Sequence, residues 1–66
     1  MQIQLNGQAQ TIDEGLTVSE VLERHGYAGR RVAVEINQTI VPRSAHAHHR
    51  LADGDRMEIV QAMGGG

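Results

Sequence analysis

Polar and apolar residues alternate from the start of the chain. In Met1-Gln2-Ile3-Gln4-Leu5, Ile3 and Leu5 share one face of an extended segment, so residues 2–6 read as a strand. Asn6-Gly7 follows. Both central residues of a type I′ turn need positive φ, and this pair supplies them, which makes residues 8–12 the returning strand of a hairpin. Asp13-Glu14-Gly15 interrupts the pattern. The period then changes: Val18, Val21, Leu22 and His25 fall at i, i+3, i+4 and i+7 on one face of a helix. Thr17 and Glu20 have the spacing of a capping box, Glu20 and Arg24 the spacing of a favourable i, i+4 pair, and Gly26 the place of a left-handed C-cap. A helix over roughly 17–26 is expected.

After a loop at Tyr27-Ala28-Gly29-Arg30-Arg31, alternation returns, with Val32, Val34 and Ile36 on one face of a third strand. Asn37-Gln38 marks a turn, Thr39-Ile40-Val41 a short strand stopped by Pro42, and Ser44 the cap of one helical turn through 45–49. Asp53-Gly54-Asp55 turns the chain into a last strand, about 56–62, with Met57 and Ile59 inward. These elements describe an α+β domain in which one main helix covers one face of a mixed sheet of four to five strands. The other sheet face is left for water or a partner.

Composition narrows the chemistry. The 66 residues make one small domain, and such domains often need disulfides or a structural metal. Cysteine is absent, which excludes disulfides, thiolate metal sites and a cysteine sulfur relay. There is no lysine either, hence no Schiff base and no side-chain isopeptide acceptor. A formal net charge of −2 and a single aromatic, Tyr27, argue against nucleic acid. The N-terminus is no signal peptide and no apolar run has membrane-spanning length, so a cytoplasmic protein without a membrane role is expected.

Gly64-Gly65-Gly66 cannot be explained by folding, because glycines are costly to order. At the end of a strand they make a slim arm: Met63 to Gly66 extends on the order of 14 Å, enough to enter another protein's cleft. The expected organisation is therefore a domain over 1–63 and a flexible glycine tail over 64–66, ending in the Gly66 carboxylate.

The segments "MQIQLNGQ", "LTVSEVLE", "VAVEINQTIVPRS" and "LADGDRMEIVQAMGGG", in this order and at this length, resemble the ThiS family of thiamine-biosynthesis sulfur carriers over essentially the whole chain. The resemblance implies a ubiquitin-like β-grasp fold with the last strand inside the sheet beside the first. It also implies a function carried by Gly66, with Gly65 its obligatory neighbour and Met63 and Gly64 threading into partner sites. A ThiF-like adenylating enzyme using Mg-ATP would activate the Gly66 carboxylate. A cysteine desulfurase or other sulfur donor would then convert it to a thiocarboxylate, and a ThiG-like thiazole synthase would receive the sulfur. The carrier itself would be no enzyme and hold no cofactor or metal. Two departures bear on local structure: Gln38 stands where the family often has glycine, and His46 where a bulky aromatic is common.

Alternation in the last strand puts Val60 and Ala62 opposite Met57 and Ile59, and Ala33 on the same outer face, a possible partner surface. His46-Ala47-His48-His49 is the one metal-like cluster, but a polar solvated turn accounts for it. His25 reads as a helix-closing residue favoured by the helix dipole, and Arg30-Arg31 as a solvated loop with an acidic partner as the alternative. Besides a ubiquitin-like tag attached to target lysines, two other functions fit a β-grasp chain. One is a molybdopterin-synthase small subunit, which also ends in Gly-Gly; the other is a regulatory TGS-like module, which needs no free tail.

Overall fold

The computed structural model describes residues 1–61. Strand β1 (Gln2–Leu5) turns at Asn6-Gly7 into β2 (Gln8–Thr11), and the helix α1 (Val18–Arg24) follows. Then come β3 (Val32–Ile36), β4 (Thr39–Val41), a single 3-10 turn at Arg43–Ala45 and β5 (Arg56–Gln61). The five strands lie in the order β2-β1-β5-β3-β4. The last strand is thus central, parallel to β1 and antiparallel to β3, which is the β-grasp arrangement.

Local chemistry accounts for most of these elements. Asn6 and Gly7 have φ of 50° and 83°, both positive as the tight hairpin requires. Asn37 and Gln38 adopt the same geometry, at 53° and 69°, so glutamine occupies a left-handed position that glycine would fill without strain. The helix closes with a Schellman motif: Tyr27 N–H donates to Leu22 O (2.8 Å) and Gly26 N–H to Glu23 O (3.3 Å), with Gly26 at φ 84°. It therefore ends two residues earlier than the apolar period predicts. His25 is its C-cap and is exposed, not part of the buried face.

The start of α1 shows what sequence spacing cannot. The capping box forms, with Thr17 Oγ1 accepting from Glu20 N–H (3.2 Å) and Glu20 Oε1 accepting from Thr17 N–H (2.9 Å). The remaining free amides are met from far along the chain: Val18 N–H donates to His49 O (2.9 Å) and Ser19 N–H to His46 O (3.0 Å). The histidine-rich segment thus supports the helix through its backbone. Ser44 caps nothing: the turn lies at Arg43–Ala45, behind Pro42, with no side-chain cap.

Glu20's carboxylate is held below its ordinary pKa, first by the Thr17 backbone N–H and then by the Thr17 hydroxyl. A lowered folded-state pKa means the contribution is whole above the unfolded-state value and is lost as pH falls through the lowered one. Glu20→Gln is expected to be less stable than the parent at neutral pH, and the gap should close on acidification through that window. Urea unfolding over a pH series checks it; a gap independent of pH would exclude the charge as its cause.

The core sits between the helix and the inner sheet face. Ile3, Met57, Val18, Val21 and Val34 are fully buried. Leu16 and Leu51, each isolated in irregular chain, join them because Leu51 N–H donates to Leu16 O at 2.9 Å. Arg24 pairs with Asp13 at 3.2 Å and not with Glu20, whose carboxylate is occupied at the cap. No helix among the described residues is long and apolar enough to cross a membrane.

Candidate functional site

The expected reactive end, Gly64, Gly65 and Gly66 with Met63, lies outside the described residues, as does Ala62. What the structure describes is the strand that leads to it. On one side β5 pairs with β3 from Ile36↔Met57 to Val32↔Gln61. On the other, pairing with β1 stops at Leu5↔Met57, and the next amide on that side, Ile59 N–H, donates to Asn6 Oδ1 at 2.7 Å. At the other end of the strand, Asn37 Oδ1 accepts from Arg56 N–H (3.0 Å) while its Nδ2 donates to Asp55 Oδ1 (3.0 Å). With Met57 and Ile59 buried, β5 is held on both edges and from below, so Gln61 has a fixed place and direction. The sequence marks Asn6 and Asn37 only as turn residues; their second role as clasps on β5 has no sequence signal.

The outer face carries Val60, 58% exposed, opposite Ala33 as expected. It also carries Ile40, 59% exposed, which was not among the expected residues. Its neighbour Val41 is buried, so alternation turns Ile40 outward, but a three-residue strand is too short to display a period by itself. Between these apolar groups Glu35 and Glu58 face each other across β3 and β5. Like charges directly opposite are unfavourable in a free sheet.

The histidine cluster is not the solvated turn that its sequence suggests. His46 is buried, and its Nε2 hydrogen-bonds Val41 O at 3.0 Å, donating to that carbonyl. Burial puts the ring in the same core position that a bulky aromatic would fill. His48 is exposed and His49 half-buried, and no group of three metal-ligating side chains forms among the described residues.

A central last strand in a one-helix sheet does not by itself name a function, so kinship is decisive. The ThiS family model matches residues 3–66. The chain belongs to the ThiS family.

Relatives within and around the ThiS family agree. The chain is 42% identical to the sulfur carrier protein ThiS of Escherichia coli (strain K12), covering all of both chains. It is 41% identical over its full length to a thiazole synthase of Paramagnetospirillum magneticum, but spans only 20% of that protein, and it matches a thiazole synthase of Magnetococcus marinus over the same share. The crystal structure of the thiamine biosynthesis protein ThiS from Geobacter metallireducens superposes with a TM-score of 0.86 at 36% identity, over the whole of both chains.

Proposed function

We propose that this chain is a sulfur carrier for thiazole formation in thiamine biosynthesis, a cytoplasmic co-substrate and not itself an enzyme. The observation that carries the reading is full-length identity of 42% to a protein named as a sulfur carrier. The rigid root of β5 supports it, because a reactive end is useful only if its origin is well placed.

A carboxylate resists nucleophiles because charge and resonance protect its carbon. A ThiF-like enzyme would let a Gly66 carboxylate oxygen attack the α-phosphorus of Mg-ATP, with pyrophosphate leaving. The acyl adenylate then has a good leaving group. The terminal sulfur of a persulfide, supplied by a cysteine desulfurase or similar donor, attacks the acyl carbon and AMP departs. A thiol cleaves the remaining S–S bond and leaves the thiocarboxylate on Gly66. Glycine at 64, 65 and 66 keeps the path to these sites narrow. The thiazole synthase relatives that contain a segment like this chain favour such an enzyme as the acceptor.

Incubating the chain with a cognate adenylating enzyme, Mg-ATP and a sulfur source should raise its intact mass by the difference between sulfur and oxygen. No such species would overturn the reading. Expression in auxotrophs should rescue the thiamine requirement and not the molybdenum-cofactor requirement.

The outer sheet face is the proposed contact for these partners, with Val60, Ala33 and Ile40 as apolar anchors; Ala62, expected with them, lies outside the described residues. Because Val60 is exposed, Val60→Asp should keep the domain folded, with only a modest drop in the unfolding midpoint from lost strand propensity and a charge added to the face of Glu35 and Glu58. It should lower kcat/KM for adenylation by about tenfold, since a buried unpaired charge costs more than the contact it replaces. Unchanged turnover in steady-state adenylation assays would remove this face from the interface.

A further inference from the structure

A groove of about 360 Å³ runs between the end of α1, the 27–31 loop and the Arg43–Ala45 turn. Arg30 and Arg43 are among its lining residues, with Leu22, Tyr27 and Val32 supplying apolar wall and Glu23 the single acidic residue. Among the described residues the one ion pair is Arg24–Asp13, so neither groove arginine is neutralised by a carboxylate. Arg31, the exposed residue before β3, is not part of the lining.

Position gives these charges a meaning. Val32 forms part of the groove wall and is the register partner of Gln61, the last described residue of β5. The groove therefore opens at the end of the sheet from which residues 62–66 continue. The carboxylates of Asp53 and Asp55 lie at the other end, where β5 begins and Gly54 N–H donates to Gln2 O. A chain of net charge −2 thus presents cations where its reactive end departs.

We infer that this groove receives an acidic segment, glutamate or aspartate side chains on a loop, of the protein that takes up the Gly66 end. The identity of that partner rests on the carrier reading; the chemistry of the groove does not. Through Val32 the groove lies next to Gln61, the last described residue before that end. The apolar wall suits side chains with methylene stems, which a free inorganic anion lacks, and Glu23 repels a small, densely charged anion at close range. Separated charges of this kind act mainly by steering encounter, so the effect belongs in KM and its salt dependence.

Two measurements test this. In the first, the full chain is titrated with a short glutamate oligomer and followed by amide chemical shifts, with a glutamine oligomer and inorganic phosphate as comparators. Shifts confined to Ser19, Glu23, Tyr27, Arg30, Val32 and Ala47, seen with glutamate alone and lost in Arg30→Ala/Arg43→Ala, are expected. Absence of shifts there, or equal shifts with phosphate, overturns the inference. In the second, the same double variant should raise KM for adenylation by about tenfold at low salt with kcat unchanged, and the difference should shrink with added salt. Arg24→Ala, whose side chain is exposed and paired outside the groove, should leave KM as it was; an equal rise there would reduce the effect to net charge and overturn the inference. If the wild-type chain is never adenylated, the carrier reading fails, and the oligomer titration still decides the groove.

Discussion

Deleting Gly65 and Gly66 is expected to reduce adenylation and thiocarboxylate formation to background while the domain unfolds at the same urea concentration as the parent. The two halves of that result come from different parts of the molecule. Stability resides in the core beneath β1, β3 and β5, which among the described residues is built from Ile3 through Ile59. Reaction depends on where the last carboxylate arrives. Removing two residues draws it back by about 7 Å in an extended chain, and a misplacement of about 1 Å already costs on the order of a hundredfold. Intact-mass analysis after incubation with partner, Mg-ATP and sulfur source reads the first half, and urea unfolding the second. Retained sulfur loading would show that the reacting group is elsewhere.

Met57→Ala should have the largest effect on the fold. Met57 is fully buried on the central strand, paired with Ile36 on one side and Leu5 on the other. Truncating a buried methionine costs roughly 2–5 kcal/mol, from lost transfer energy and from the cavity left behind. A domain of this size has only about 3–10 kcal/mol in total. A substantial unfolded fraction is therefore expected at 37 °C, visible as a large drop in the urea midpoint. The variant should also lose sulfur loading in proportion to the folded fraction, because its Gly66 no longer has a fixed origin. A midpoint within experimental error of the parent would contradict the central role of β5.

The parts of this fold that sequence reveals are those set by near neighbours. Ile3 with Leu5, Val34 with Ile36 and Met57 with Ile59 alternate because strands do, and each pair is buried as the period predicts. Thr17 with Glu20, and Gly26 after the helix, are local signals whose hydrogen bonds form. What stays hidden is decided at long range. The polar surroundings of His46 hide its burial, which depends on a carbonyl five residues away and on the helix it faces. Leu16 and Leu51 sit in irregular chain with no period to display, and they reach the core through long-range packing that their mutual backbone bond helps to hold. Arg24 selects Asp13 over Glu20 because the cap has already engaged the nearer carboxylate. For the candidate site the division is similar. Glycine composition and family resemblance point to Gly66 and its neighbours, whereas Ile40 on the outer face and the clasps at Asn6 and Asn37 emerge only from strand register.

The order of synthesis gives the central position of β5 a further consequence. The two halves of the sheet, β2-β1 and β3-β4, are made first, yet within the sheet they are joined only by β5, the last strand of the five to be made. Until then neither half of the sheet has its central partner strand. A product cut short before residue 56 lacks the piece that closes the sheet, so it is expected to be left to proteases and chaperones and to offer no folded decoy to the partners proposed above.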